Sequence, residues 1–176
     1  MKNLFRTAFA FVAALVLAGC TSDEDAKHTK NYPAIHIEPS DAYRGGSREI
    51  EMPESGLRFN IIGRPVVPEG NFMATGVFEV GPNDMRRNAL LVQVDTKAAG
   101  ELYALSGKAN GKRLFLLVGD RPMGVHLINE TVRDGDIFFD VEVPGATRAE
   151  KDKALFKLSL ELNEAIIKIR KEKADK

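Results

Sequence analysis

Alternation of apolar and polar positions dominates the chain from Tyr32 to Val143 and predicts a series of short strands. Successive side chains of a strand point to opposite faces, so a half-buried strand is apolar at every second position. This pattern, or a short apolar run bounded by turn residues, occurs eight times. The eight segments are Ile35–Ile37, Ile50–Met52, Leu57–Ile62, Met73–Val80, Ala89–Val94, Leu114–Val118, Val125–Ile128 and Ile137–Val143.

Helical spacing replaces this alternation directly after Val94. Either Asp95 or Thr96 can cap a helix there, because the side-chain oxygen accepts from free amide groups of the first turn. Ser106-Gly107 is a typical helix end. The apolar residues that recur between these ends are Ala98, Ala99, Leu102, Tyr103 and Leu105.

The last segment, residues 146–176, has the features of a second, amphipathic helix. Thr147 and Glu150 stand three apart, as in a reciprocal capping box. The apolar residues fall on one stripe, and basic residues gather at the carboxyl end, where the helix dipole favours them. The stripe consists of Leu155, Leu158, Leu162, Ile166 and Ile169. Two interpretations stay open: the stripe packs on the domain, or it docks a partner or forms a coiled coil.

The order of these elements predicts an α+β fold. From residue 89 onward the order is strand, helix, strand, strand, strand, which indicates a helix on one face of a mainly antiparallel sheet. Gly119-Asp120-Arg121-Pro122 is predicted to be a tight connection, and Asp134-Gly135-Asp136 a turn between strands. We therefore expect an α+β domain at residues 32–145, followed by the C-terminal amphipathic helix at 146–176.

The amino-terminal end has the three parts of a bacterial export signal. Lys2 and Arg6 are positive, and Ala8–Ala18 is an apolar run of about eleven residues. A membrane-spanning helix needs roughly 18 apolar residues or more, so the run suits a cleaved signal peptide better. It ends in Leu17-Ala18-Gly19-Cys20, which resembles the lipobox of bacterial lipoproteins.

The lipobox resemblance implies that residues 1–19 are a signal peptide and that Cys20 carries lipid at the start of the mature chain. Cys20 is the only cysteine, so it has no partner for an internal disulfide, and acylation accounts for the single exported thiol. The alternative is an ordinary signal peptide with an incidental cysteine. We expect a membrane-anchored, exported lipoprotein, in the outer membrane and facing the periplasm if the host is Gram-negative, because Thr21 replaces the aspartate that commonly signals inner-membrane retention.

Residues 20–31 are polar and are predicted to be a flexible tether. Removal of the signal takes away Lys2 and Arg6 and leaves 23 of the 25 basic residues against 25 acidic ones. The resulting net charge of about −2 (23 − 25) gives no reason to expect a nucleic-acid partner, because nucleic-acid binding normally requires a clustered basic surface. The expected partners are the membrane, through lipid on Cys20, and a protein or peptide.

Residues 64–143 resemble the head part of the first periplasmic domain of SecD, a membrane subunit of the bacterial Sec export machinery. The matching stretches, in order, are Arg64-Pro65-Val66-Val67, Val92 to Ala99, Gly111-Lys112-Arg113-Leu114-Phe115-Leu116 and Ile128 to Gly135. The resemblance implies a similar fold and a surface that touches polypeptide or partner proteins. It transfers no catalytic residue. The transmembrane helices by which SecD couples its head to the proton gradient have no counterpart here.

Candidate chemistry is sparse. His36 and His126 lie within predicted strands, where solvated or hydrogen-bonded sheet positions are the expected role, and His28 lies in the predicted tether. The chain has neither a Gly-x-Ser-x-Gly elbow nor a glycine-rich phosphate loop. The sequence therefore indicates no catalytic, metal or cofactor site. We expect a non-enzymatic binding or structural module, and the alternative is an envelope hydrolase that uses dispersed carboxylates.

Overall fold

The computed structural model describes residues 31–84 and 86–175, and it has the predicted α+β architecture. Two α-helices are present in these ranges, α1 (Thr96–Ser106) and α2 (Arg148–Ala174). The strands are β1 (Pro33–Ile37), β2 (Ser47–Glu51), β3 (Arg58–Ile62), β4 (Phe72–Val80), β5 (Arg87–Val94), β6 (Arg113–Val118), β7 (Arg121–Leu127) and β8 (Asp136–Val141). A 3-10 turn, Glu69–Asn71, precedes β4.

Six strands form one sheet in the order β1-β6-β7-β8-β5-β4, and every pairing in it is antiparallel. The two strands on either side of the predicted tight connection, β6 and β7, pair as an antiparallel hairpin. The remaining strands, β2 and β3, form a separate antiparallel hairpin. Two of the five pairings, β1 with β6 and β5 with β8, join strands that are not consecutive in the chain.

Local sequence chemistry fixes the ends of α1. The Asp95 carboxylate accepts a hydrogen bond from the Ala98 amide at 2.9 Å, which satisfies one of the free donors of the first turn. Ala98 and Leu102 face the sheet and are buried. The helix ends at Ser106 and is capped by Gly107, as predicted.

The predicted capping box of α2 is confirmed. Thr147 Oγ1 accepts from the Glu150 amide, and the Glu150 carboxylate accepts from the Thr147 amide in return. The predicted apolar stripe is buried along its whole length. Leu155, Leu158 and Leu162 belong to the same core as the inner sheet residues. The packing interpretation of this stripe is therefore confirmed, and α2 shares one core with the sheet.

Apolar layers lie on both faces of the sheet. The main core lies between one face and the two helices. A smaller core lies between the opposite face and the β2–β3 hairpin, and it includes Ile50, Met52 and Ile61. Strand β6 contributes to both, with Leu116 in the main core and Phe115 and Leu117 in the smaller one. Burial on two faces explains why this strand is an unbroken apolar run.

Several predicted strand boundaries differ from the structure by one to four residues, and two of these differences change the connections between elements. Arg121 and Pro122 were expected in a tight connection, but β7 begins at Arg121, and the turn is shortened to Gly119-Asp120. Proline fits this strand because the β6–β7 register shifts beside it, between Leu116 and Leu117. Strand β8 ends at Val141 rather than at Val143, since the chain turns there toward α2.

Candidate functional site

The face of the sheet that carries the hairpin is covered over only part of its width. The hairpin packs on Phe115 and Leu117 of β6, and the strands on the β4 side lie beyond it. There Phe78, Leu127 and Phe138 are exposed between 41 and 52% although they are large and apolar. Leu91 lies beside Phe138 in the ladder and is buried. We call these four residues the open sheet face.

Pairing register and ring packing bring the members of the open sheet face together. Val125 pairs with Asp140, so continuing the register sets Leu127 level with Phe138. The rings of Phe78 and Phe138 meet edge to face, with centroids 6.3 Å apart. This arrangement is favourable for an aromatic pair, because the positive edge of one ring meets the negative face of the other.

Gly76 makes room for the ring of Phe78. A Cβ atom at position 76 would lie 2.9 Å from Cε2 of that ring, which is closer than real Cβ contacts allow. The ring of Phe78 therefore lies close to the backbone of Gly76. Phe78 thus lies close to both Gly76 and Phe138.

Both outer edges of the six-stranded sheet are blocked near their centres. On β4, the Thr75 amide donates to Asn163 Oδ1 at 2.8 Å, and Asn163 Nδ2 donates to the Thr75 carbonyl at 3.0 Å. The side-chain amide thus takes the place of a neighbouring strand. On β1, Ile35 exchanges backbone hydrogen bonds with Val67. Blocked edges disfavour recognition by strand addition.

A cleft of about 510 Å³ lies between the first half of α2 and the ends of β6 and β7. Its inner wall is apolar and includes Met123, Val143 and Leu158, and its rim carries Arg121, Lys157 and Glu161. Glu161 is the one carboxylate among the described lining residues, and Lys157 Nζ lies 3.6 Å from it. The cleft has the size of a small-ligand site. Its described lining does not bring two carboxylates together for acid–base chemistry.

The two histidines of the sheet each form a hydrogen bond to a backbone carbonyl. His36 Nδ1 lies 2.9 Å from the Ile62 carbonyl and His126 Nδ1 lies 2.9 Å from the Phe138 carbonyl. A carbonyl only accepts, so each Nδ1 carries the proton and donates it. Burial lowers the pKa of His36 below its ordinary value. The predicted hydrogen-bonded sheet role is confirmed for both residues.

Glu142, directly after β8, attaches the loop between β2 and β3 to the sheet. Its carboxylate accepts from the Ser55 hydroxyl at 2.6 Å and from the amides of Glu54 and Ser55 at 2.9 and 3.0 Å. Burial alone raises the pKa of Glu142, but these hydrogen bonds and the charge of Lys151 outweigh that effect, so the pKa lies below its ordinary value.

Glu142→Gln is expected to lower the free energy of unfolding by about 1 kcal/mol at pH 7, a modest value because the carboxylate stays partly solvated. A lowered native pKa stabilises the fold above the unfolded-state pKa, and this stability is lost as the pH falls through the native value. Urea denaturation across pH 3 to 7 should therefore show the two proteins converging in acid. Glu130→Gln, in an exposed loop, is the control, and an equal loss there or a gap independent of pH would contradict the prediction.

The predicted turn at Asp134-Gly135-Asp136 is confirmed. Gly135 has a φ of +75°, its carbonyl accepts from the Val94 amide, and β8 follows at once. Among the residues that the structure describes, no three His, Cys, Asp or Glu side chains converge as a metal site. Within the same ranges, no helix combines the length and apolar character that a membrane crossing requires.

Cys20, the predicted lipidation site, lies outside the described residues, as do the predicted signal peptide and His28. Comparison with protein-family models, with curated proteins and with solved structures finds no match to this chain. The lipobox interpretation and the resemblance to the SecD head stay predictions.

Proposed function

We propose that this protein is a lipid-anchored binding module of the cell envelope, without enzymatic activity, which contacts a polypeptide partner through the open sheet face. The observation that carries the proposal is the exposed group formed by Phe78, Leu127 and Phe138. Contiguous apolar surface of this kind is unusual on a protein that acts alone in water, and it commonly marks an interaction site.

The shape and chemistry of the open sheet face favour a polypeptide over a small ligand. Small molecules need a concave site that buries most of their surface, whereas protein interfaces combine an apolar, aromatic-rich centre with a polar rim. Polar pairs border this face: Arg87 with Asp140, and Gln93 with Asp136. Because the sheet edges are blocked, side chains rather than backbone groups would supply the contacts.

The SecD resemblance and the lipobox resemblance add to this proposal. All members of the open sheet face fall within residues 64–143, the stretch that resembles the SecD head, and that resemblance implies a surface that touches polypeptide. Lipid on Cys20 would hold the face near a bilayer. The alternative, an envelope hydrolase with dispersed carboxylates, stays a prediction that no contact described above favours.

Site-specific photocrosslinking in intact envelopes tests the proposal. A photoreactive amino acid at position 78 or 138 should give a discrete adduct with another polypeptide, and the same group at position 103 should not. Tyr103 is the matched control because it is an equally exposed aromatic residue, on α1. An adduct of two copies of this chain, or equal labelling from position 103, would contradict the proposal.

Phe138→Asp should weaken the interaction about thirtyfold or more, since a buried aromatic at the centre of an interface commonly contributes 2 kcal/mol or more. The measurement is the yield of the adduct from position 78 as a function of the amount of partner. Tyr103→Asp is the control for a new surface charge. An unchanged yield in a folded Phe138→Asp protein would exclude the open sheet face as the contact.

A further inference from the structure

Helix α2 carries a second apolar stripe, on the side that does not face the core. Phe156, Leu160 and Ile167 are exposed by 53, 66 and 54%. The buried stripe of the same helix accounts for its packing on the sheet, so these three residues are not needed for that contact. We call Phe156, Leu160 and Ile167 the outer stripe.

The members of the outer stripe line up along the helix. They are spaced four and seven residues apart, and at 3.6 residues per turn they fall within about 40° of one another. Ala149 and Ala174 continue the same line at seven-residue steps from Phe156 and Ile167. A seven-residue apolar repeat is the pattern by which one helix packs along another.

Charged residues beside the outer stripe alternate in sign at the same interval. They are Glu150, Lys157, Glu164 and Lys171, and all four are exposed. When two such helices run antiparallel, Lys157 of each lies beside Glu164 of the other. The same register sets Glu150 beside Lys171, since both pairs are centred between residues 160 and 161. If the two helices were parallel and in register, each of these charged residues would instead lie level with the same residue of the second copy.

We propose that the outer stripe binds a second copy of this chain, with the two α2 helices antiparallel. In this register the two Leu160 side chains, one from each copy, meet at the twofold axis. Phe156 lies between Asn163 and Ile167 of the second copy. The apolar contacts supply most of the affinity, and the alternating charges select the partner and the direction.

This dimer leaves the open sheet face available. Helix α2 packs on the main core, and Phe78 and Phe138 lie on the opposite face of the sheet. The proposal is independent of the polypeptide partner discussed above, and either of the two can fail without the other. Lys157 already lies 3.6 Å from Glu161, but both side chains are exposed, so that pair holds Lys157 only weakly.

Cysteine crosslinking of the full-length chain in intact envelopes tests whether the α2 helices of two copies lie close together. Leu160→Cys should give a product with twice the mass of one chain when a short bifunctional maleimide is added. Lys168→Cys is the matched control, because it is exposed on the same helix but in the antiparallel register lies level with residue 153 of the second copy, about 22 Å along the helix axis from residue 168 of that copy. The unsubstituted chain shows any background from Cys20. Equal dimer yields at positions 160 and 168 would overturn the proposal.

Charge reversal tests the antiparallel register. Lys157→Glu or Glu164→Lys alone should lower the dimer yield in the Leu160→Cys background about fivefold, because each replaces two attractive contacts with two repulsive ones. The double reversal should restore the yield. Circular dichroism should show all these proteins equally folded, since the altered side chains are exposed. A double variant as weak as the single ones, or single variants without effect, would exclude this register.

Discussion

Phe115→Ala is expected to lower the free energy of unfolding by about 3 to 5 kcal/mol. Phe115 is fully buried and lies under the β2–β3 hairpin, where its ring is 5.0 Å from that of Phe59. The core on this face is small, so few neighbours can move to fill the space that the ring leaves. The hairpin should therefore loosen from the sheet before the main core is affected.

Chemical denaturation followed by circular dichroism measures this loss. Tyr103→Ala is the control, because it removes an aromatic ring from an exposed site and should cost less than about 0.5 kcal/mol. Hydrogen exchange should place the increased opening in β2 and β3. A loss at Phe115 no larger than that at Tyr103 would show that the hairpin is held by other contacts.

The hydrophobic periodicity predicted most of the helices and strands, because the pattern of apolar residues follows which side chains each element buries. Helix α1 is capped by Asp95 and Gly107 for reasons contained in a few neighbouring residues. Strand β6 was equally visible, since burial on two faces leaves an unbroken apolar run. Pro122 misled the prediction of the turn, because a proline is compatible with a strand only where the pairing is irregular. The irregularity is the extra residue Met123 beside Pro122, and it becomes evident only once β7 is paired with β6.

The candidate site could be predicted only in part. Phe138 stands between Ile137 and Phe139, and alternation alone puts it on the opposite face from those two residues. Its exposure, however, depends on how far the β2–β3 hairpin extends across the sheet, and no local pattern encodes that distance. The contact between Asn163 and Thr75 could not be predicted from the sequence either, because it joins α2 to the edge of β4 across a large sequence separation.

The outer stripe of α2 was difficult to predict from the sequence for a different reason. Phe156, Leu160 and Ile167 were readable from their spacing, but the longer stripe that contains Leu155 and Leu162 dominates the same helix. A sequence pattern with one dominant apolar stripe predicts only one packing surface for the helix. The structure separates the two stripes, because the first is buried on the sheet and the second remains exposed.

Cys20→Ser is expected to abolish membrane attachment of the mature chain. The lipobox interpretation makes the Cys20 sulfur the point of acylation, and a serine hydroxyl cannot replace it in that processing. Each buried methylene contributes about 0.8 kcal/mol, so several acyl chains hold a protein firmly, whereas a polar chain without them has no comparable affinity for the bilayer. The variant should accumulate as an uncleaved precursor or appear in the soluble fraction.

Membrane fractionation and intact-mass measurement distinguish these outcomes. Ser22→Ala is the matched control, because it changes a neighbouring hydroxyl and leaves Leu17-Ala18-Gly19-Cys20 intact. The natural protein and this control should both show the mass of the chain from Cys20 onward plus acyl groups. An unmodified thiol at Cys20, or a Cys20→Ser protein with unchanged mass and fractionation, would remove the anchor from the proposed function. The open sheet face would then have to find its partner from solution, without the high local concentration that a shared membrane provides.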